Sequence, residues 1–439
     1  MGRKPENSYD ARIDFNVAAL LESHLRDSSR RKVKGLTIDK ADARILDDGF
    51  FIAREGEGWV VDVSIADVPA MVPEKHDLEF TARKLKYERS ARERLFPYGF
   101  LLNYVSLANS QKRPAMTFQI HLDKDLNITS YGVDRTVFES LKQCNDGDIT
   151  AELKKKNPDV EMWVDLGRRL YAKRMSHIGR ACDTIVANDN VALPSEPAVH
   201  DHPGNEGGAL VHEMMRLANQ VATRFFVDNK LEAPFKNASG VVDIVRVSND
   251  FDFDVECNNI AQKTIADLVK TIPAYSHISS PMREYKDFLG LKTIARHLAG
   301  AEPDEADQKY AKKLSDAFNE SAAKVKTDIL SPQWMPTWSQ YRATQNRATH
   351  EKIERDPSTH IGSLRQYARE QGWKMPQMAE RRLLIDGAQV TLIALRCKEA
   401  GTPTSWAVHH NPDAALNLAA ARQTLALSTV KNDPALKIG

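Results

Sequence analysis

Residues 37–49 read TIDKADARILDDG, and this stretch places four aspartates, Asp39, Asp42, Asp47 and Asp48, within ten residues. Isoleucine and leucine lie between and beside the carboxylates, which indicates a buried wall of a protein rather than a solvated acidic patch. Clustered carboxylates repel each other unless a cation neutralises them, and oxygen ligands alone favour Mg²⁺ or Mn²⁺ over zinc. The spacing by itself also fits an acidic turn capped by aspartate side chains, so the surrounding sequence has to decide.

The text on either side predicts paired strands followed by helices. Residues 49–53 and 59–65 predict two strands joined by the turn EGEG at 55–58, and residues 115–122 and 128–138 predict a second pair. Apolar residues at helical spacing predict helices at 153–181 with a break near Pro158, and at 208–228, 285–299 and 309–329. This order indicates an α+β fold in which helices surround a mixed sheet.

The composition excludes some classes of function. The 439 residues include 61 Lys and Arg against 60 Asp and Glu, a net charge of +1, so bulk charge does not hold nucleic acid and any polyanion site must arise locally. The four cysteines form no CxxC pair, which predicts neither a zinc motif nor a disulfide framework and favours a reducing compartment. Without an apolar signal core or a membrane-length apolar run, we expect a cytoplasmic protein with no membrane partner.

The aspartates stand in a recognisable context. The pattern TIDxxDxxxLDD, followed by a hairpin and by SIADV at 64–68, resembles the signature of the RNase II/RNase R (RNB) exoribonuclease family. Three further blocks follow in the family's order: LFP at 95–97 with Leu107 and RPAMTF at 113–118, LVHEMMRLAN at 210–219, and SPMREYKD at 280–287. On these four blocks the chain is identified as a member of that family.

The resemblance implies a hydrolytic, Mg²⁺-dependent 3′→5′ exoribonuclease, with Mn²⁺ as a possible substitute. Such an enzyme draws the 3′ end of single-stranded RNA into a channel and releases nucleoside 5′-monophosphates. Asp39, Asp47 and Asp48 fall on the family's catalytic and metal-binding aspartates. Arg283 falls on the arginine that contacts the scissile phosphate, and its planar donors suit that role.

Three further residues are predicted to lie along the RNA path. Tyr87 falls where the family has an aromatic side chain that stacks on the terminal bases, although a core or surface tyrosine fits that position as well. Glu213 matches a motif glutamate on an otherwise apolar helix, with a helix-surface carboxylate as the alternative. Tyr285 belongs to the same block as Arg283, and together with Asp287 it is expected to support that arginine more than to touch RNA.

One position departs from the family pattern. Ile45 stands where the family has a further catalytic aspartate, two residues before the Asp47–Asp48 pair. Isoleucine does not ligate a metal, so one site loses a ligand. The alternative function is therefore a catalytically impaired RNB-fold protein that holds RNA or acts as a scaffold.

The chain is predicted to contain a catalytic domain and one small module. The expected divisions are an N-terminal extension with one helix at 1–35, an RNB-like domain at 36–330, a linker at 331–357, an α-β-β-β-α module at 358–430 and a tail at 431–439. The basic run at 29–34 is expected to be a solvated edge or a phosphate contact.

The C-terminal module resembles a double-stranded RNA-binding domain. That family grips phosphates with lysines that open its last helix, whereas this chain has Asn411, Pro412, Asp413 and Leu416 there. Contact with duplex RNA and contact with a protein therefore both stay open. The family's usual additional RNA-binding domains have no room in 35 residues, which favours trimming of 3′ tails on structured RNA such as tRNA precursors.

Overall fold

The computed structural model describes residues 13, 15–86, 94–108, 110–186, 206–236, 241–246, 275–328, 358–385, 388–409 and 412–431. Contacts divide the chain into two units. The first comprises Met1–Tyr171, Asp201–Lys236 and Tyr275–Ala317, and the second comprises Ala172–His200, Asn237–Ala274 and Phe318–Gly439. Within the described ranges, no helix has the length and apolar character needed to cross a membrane.

Five strands of the first unit close into a barrel in chain order. They are β1 (Arg31–Ile38), β2 (Asp48–Glu55), β3 (Gly58–Ala66), β4 (Lys112–Leu122) and β5 (Ile128–Cys144). Neighbouring strands are antiparallel, except that β5 returns to pair with β1 in parallel. Both predicted strand pairs are present, and the mixed sheet with its helices confirms the α+β class.

Strand β1 lies partly inside the segment that the sequence predicted as an N-terminal extension. Residues 31–38 pair with residues 136–144 of β5, so the boundary expected at residue 36 cuts through the barrel. The basic side chains of Arg31, Lys32 and Lys34 are exposed, whereas Val33 and Gly35 are buried between them. This alternation is that of a half-buried strand, and the basic residues obscured it in the sequence.

The first unit holds nine α-helices among the residues that the structure describes, besides a π-helical turn at Leu101–Val105. They are α1 (Val17–Arg26), α2 (Val68–Met71), α3 (Asp77–Leu85), α4 (Tyr98–Phe100), α5 (Asp146–Lys154), α6 (Pro158–Val186, which runs on into the second unit), α7 (Glu206–Asp228), α8 (Tyr285–Leu298) and α9 (Glu305–Asp328, likewise shared). The predicted break near Pro158 separates α5 from α6, because proline lacks the N–H that would continue a helix.

Two apolar clusters hold this unit together. The first joins barrel strands to the buried face of α7 and includes Trp59, Val61, Phe118, Leu210, Met214 and Val221. The second joins other barrel positions to α2, α3 and α8 and includes Val33, Leu46, Phe96, Phe138 and Phe288. The carboxylate stretch thus starts at the first cluster, with Ile38, and ends at the second, with Leu46.

Gly49 of β2 packs against the buried ring of Phe138. A Cβ added at Gly49 would lie 2.5 Å from Cζ of Phe138, closer than packed atoms allow. We expect Gly49→Ala to lower the free energy of unfolding by about 1–3 kcal/mol, measured by urea denaturation. Gly132→Ala on β5 is the matched control, because nothing lies within 4 Å of its added Cβ. An equal loss in both variants would mean that contact with Phe138 does not set the cost.

The second unit contains the C-terminal module. Its elements are α10 (His360–Glu370), β7 (Gln377–Ile385), β8 (Ala388–Arg396), β9 (Ser405–His409) and α11 (Pro412–Lys431), in the α-β-β-β-α order that the sequence predicted. A strand that was not predicted, β6 (Val241–Arg246), pairs with β7 and makes a four-stranded sheet. The linker predicted at 331–357 lies outside the described residues.

Candidate active site

The carboxylate stretch leaves the end of β1 and enters the start of β2. The backbone N–H of Asp39 donates to the carbonyl of Cys144 at 3.0 Å, which continues the parallel pairing by one residue. Asp48 is the first residue of β2 and pairs with Ile65 of β3. The carbonyl of Asp47 accepts from the N–H of Ala66 at 2.8 Å. The barrel therefore fixes the backbone of all three aspartates.

A serine outside the stretch shapes the loop between the strands. The hydroxyl of Ser106 accepts from the N–H of Leu46 at 2.9 Å and donates to the carbonyl of Arg44 at 3.2 Å. The N–H of Leu107 then donates to the carbonyl of Leu46 at 3.1 Å. These contacts turn the chain immediately before Asp47, so the block that contains Leu107 helps to place the carboxylates.

Asp47 is the point at which a distant part of the chain reaches the stretch. The N–H of Met282 donates to Oδ1 of Asp47 at 3.3 Å, and Nε of Arg283 lies 3.8 Å from Oδ2. Burial raises the pKa of Asp47 to about 7, and Asp287 and Asp39 add to the rise while Arg283 and the Met282 N–H oppose it. Arg283 and the Met282 N–H therefore do not offset the burial of this carboxylate.

Asp48 has even less compensation. Its Oδ2 atom is buried and has no hydrogen-bond partner. Burial, followed by the negative charges of Asp39 and Asp47, raises the pKa of Asp48 well above its ordinary value, with Arg283 as the opposing cation. Burial also raises the pKa of Asp39, against the pull of Arg283. Asp42, by contrast, is exposed.

These residues fit a hard divalent cation by their chemistry. Three interacting carboxylates, one with an unpartnered buried oxygen, supply oxygen donors and excess negative charge. Over the ranges that the structure describes, no group of three His, Cys, Asp or Glu side chains already stands at metal-binding separation. A cation would therefore have to draw the carboxylates together.

Ile45 serves packing. Its side chain is partly buried and lies against the second apolar cluster, near Leu46. The position at which the family resemblance expects a carboxylate therefore contributes apolar contact to the loop.

The predicted RNA-contact residues lie in different surroundings. Tyr87 lies outside the described residues. Glu213 on α7 is 5% exposed and Tyr285 at the start of α8 is 1% exposed, so neither side chain offers a surface to RNA in this structure. The Tyr285 ring stacks on Phe288, with centroids 5.6 Å apart. Direct RNA contacts by these residues stay predictions.

Two contributors to the site were not found from the sequence. The Met282 contact uses a backbone N–H, which leaves no trace in residue type. The hydroxyl of Ser280 accepts from Nη2 of Arg283 at 3.1 Å, and its place in the SPMREYKD block was the available signal. The structure thus brings together the four residues that the sequence predicted, Asp39, Asp47, Asp48 and Arg283. Their roles stay predictions.

Curated relatives match part of the chain. Exoribonuclease 2 of Yersinia pestis (strain Pestoides F) is 28% identical over 232 residues, which cover 48% of this chain and 34% of that protein. Exoribonuclease 2 of Yersinia pseudotuberculosis serotype O:3 (strain YPIII) matches with the same values. This chain therefore spans about a third of the length of the curated relatives it matches.

Solved structures show the same fold at low identity. The apo form of Mycoplasma genitalium RNase R superposes with a TM-score of 0.50 at 13% identity, covering 85% of this chain and 66% of that chain. The same protein in complex with double-stranded RNA gives a TM-score of 0.50 at 15% identity, covering 73% and 68%. A model of the RNB domain family matches residues 28–272, more than half of the sequence, and the chain therefore belongs to the RNB domain family.

Proposed function

We propose that this protein is a divalent-metal-dependent hydrolase that shortens RNA from its 3′ end and releases nucleoside 5′-monophosphates. The observation that carries the proposal is the meeting of Asp47 with Met282 and Arg283, 235 residues later in the chain. An arginine beside three electrostatically coupled carboxylates is an arrangement suited to phosphodiester chemistry. The curated relatives are exoribonucleases, which supports the same reaction class.

Different residues of the site are proposed to bind the metal and the phosphate. Asp39, Asp47 and Asp48 would hold Mg²⁺ or Mn²⁺, which supplies the positive charge that a phosphodiester needs for attack by water. Arg283 keeps 64% of its side chain exposed, so its remaining guanidinium donors are available to a phosphate. Its pairing with Asp47 orients it toward the carboxylates. Glu213 and Tyr285 are buried, and a contact of either with RNA remains a prediction.

Incubation of a 5′-labelled single-stranded RNA with Mg²⁺ or Mn²⁺ tests the reaction. We expect progressive shortening of the labelled strand, nucleoside 5′-monophosphate as the small product, and no cleavage in EDTA. A second RNA labelled at its 3′ end should lose the label as a mononucleotide at once. Cleavage by wild type and Asp48→Asn at equal rates would show that the activity is a contaminant and would reject the proposal.

Ile45→Asp tests whether the missing carboxylate limits metal binding. We expect this variant to bind Mg²⁺ roughly tenfold more tightly, because one more anionic oxygen joins the site. It should also lose about 1–3 kcal/mol of stability, because the isoleucine packs against an apolar cluster. Isothermal titration with Mg²⁺ and urea denaturation measure the two effects.

Ile45→Asn is the control for that substitution. It introduces a polar side chain of the same size and should lose similar stability with less gain in Mg²⁺ affinity. If Ile45→Asp binds Mg²⁺ no better than wild type, position 45 lies outside the metal site, and the alternative of an impaired RNA-holding protein loses its basis.

A further inference from the structure

A buried aspartate organises the segment that carries Arg283. Nδ1 of His277 donates to Oδ2 of Asp287 at 2.5 Å, and the N–H of Ser280 donates to the same oxygen at 2.8 Å. The Asp287 side chain has no exposed surface. It therefore ties together the chain before the SPMREYKD block and the first turn of α8.

Ser280 links this tie to the arginine. Its carbonyl accepts from the N–H groups of Arg283 at 3.2 Å and Glu284 at 3.0 Å. Its hydroxyl accepts from Nη2 of Arg283 at 3.1 Å. A continuous series of contacts thus runs from the imidazole of His277 through Asp287 and Ser280 to the guanidinium.

The series depends on charge at its first step. Burial alone would raise the pKa of Asp287, but His277, Lys286 and the Ser280 N–H hold it below the ordinary value. Nζ of Lys286 lies 3.4 Å from Oδ1, so the aspartate has two cationic or hydrogen-bonding side chains beside it. Removing His277 leaves Oδ2 with a single backbone donor, and the free-energy cost of that buried carboxylate favours a rearrangement of the segment that it holds.

We propose that His277 is a positioning residue for Arg283, acting through Asp287 and Ser280; this rests on the proposed function of Arg283 as the phosphate-binding arginine. The imidazole, 33% exposed, sits at the outer end of the series. Arg283 has few other constraints, because 64% of its side chain is exposed. Its direction is therefore determined by Ser280 and Asp47, and a small displacement of a positioned group costs much of its catalytic effect.

Ser279, His277 and Asp287 are the residue types of a serine-hydrolase triad, but their geometry does not fit a catalytic triad. Oγ of Ser279 lies 3.5 Å from Nε2 of His277 and is buried, so it is neither well bonded to the base nor open to a substrate. Ser279→Ala is for that reason the matched control. It removes a neighbour of His277 without touching the contacts that reach Arg283.

A double-mutant cycle tests the proposal on the whole 439-residue chain. Arg283→Ala should lower the RNA-shortening rate about 100-fold and His277→Ala about 10-fold. The double variant should be no worse than about twofold below Arg283→Ala, because His277 has no arginine left to place. Losses that multiply to about 1,000-fold would overturn the proposal, since His277 would then act independently of Arg283.

Two more variants keep the test decisive if His277→Ala does not fold. His277→Asn retains a donor near the position of Nδ1 and should recover activity to within about threefold of wild type. Ser280→Ala removes only the hydroxyl that accepts from Arg283, and its loss should also vanish in the Arg283→Ala background. Failure of both expectations overturns the proposal, whereas Ser279→Ala should stay within about twofold of wild type.

The same cycle measured on RNA affinity separates this proposal from the proposed function. If wild type binds a short 5′-labelled RNA without cleaving it, the hydrolase assignment fails. The dissociation constants of the four proteins still report whether His277 acts through Arg283. Additive losses of affinity would then reject the positioning role, and non-additive losses would support it.

Discussion

Asp48→Asn is expected to lower the rate of RNA shortening at least about 100-fold and, in metal-free buffer at pH 8, to make the protein more stable than wild type. The activity falls because a neutral amide is a poor ligand for a hard cation. The stability rises because the substitution removes the negative charge of a buried carboxylate, which burial and the charges of Asp39 and Asp47 disfavour.

The gain in stability should depend on pH with a definite sign. The pKa of Asp48 in the folded protein lies above that of the unfolded chain, and so does that of Asp47, at about 7. The folded state therefore binds more protons, and the free energy of unfolding falls as pH rises from about 4 through the folded pKa values. Asp48→Asn should match wild type near pH 4 and exceed it increasingly toward pH 8.

Thermal melts of both proteins at pH 4 to 8, with EDTA or with Mg²⁺, measure this prediction. Mg²⁺ should raise the melting temperature of wild type more at pH 8 than at pH 5, because protons compete with the metal. Asp42→Asn is the control, since this exposed aspartate of the same stretch should change neither activity nor stability. If wild type melts at a higher temperature than Asp48→Asn in EDTA at pH 8, neighbouring groups offset the buried charge of Asp48 and the prediction is wrong.

Asp67→Ala, immediately after β3, is expected to lower the free energy of unfolding by about 3–5 kcal/mol, because it removes one partner of a buried ion pair. Oδ2 of Asp67 lies 3.1 Å from Nη2 of Arg30 and 3.2 Å from Nε of Arg135. Its Oδ1 accepts from the N–H of Ala70 and caps α2. The Arg30 side chain is almost fully buried, so losing Asp67 leaves its charge with Asp27, whose Oδ2 lies 3.9 Å from Nε, as the carboxylate beside it.

Urea denaturation followed by tryptophan fluorescence measures the loss, and Glu22→Gln provides the control. Glu22 pairs with Arg26 at 2.8 Å on the surface of α1, where both side chains are mostly exposed. Such pairs contribute less than about 1 kcal/mol. Arg30→Met in the Asp67→Ala background should restore part of the stability by removing the buried charge, and further loss in that double variant would contradict the electrostatic cause.

The elements of the fold that could be predicted are those that local sequence features determine, such as turn residues, apolar segments and proline. The hairpin of β2 and β3 follows from two short apolar segments around EGEG, and the break before α6 at Pro158 follows from the chemistry of proline. Strand β1 was missed because Arg31, Lys32 and Lys34 suggest a solvated edge. Its pairing partner, β5, lies about 100 residues away, and no local rule reports such a contact.

For the candidate site, the residues could be predicted from the sequence but their contacts could not. The aspartates and Arg283 were identified from motif blocks, but their meeting depends on Met282 and on backbone groups that carry no residue-specific signal. The packing of Ile45 against an apolar cluster also required the structure, because the sequence shows only that a carboxylate is missing. Burial of Glu213 and Tyr285 is a property of the whole fold and not of their own blocks.

The parallel pairing of β1 with β5 implies an order of assembly. The antiparallel neighbours in the barrel are closer to each other in the sequence, whereas closure must join Ile38 to Cys144 and is the step with the largest loop to close. Asp39 follows Ile38 directly, so it joins Asp47 and Asp48, which the β2–β3 pair already holds, only at closure, and Arg283 joins them from later still. A chain emerging from the ribosome therefore passes through a long period in which it has the acidic half of the site without its arginine. Recovery of Mg²⁺ binding after dilution from urea should accordingly lag behind recovery of strand content, and would report barrel closure in time.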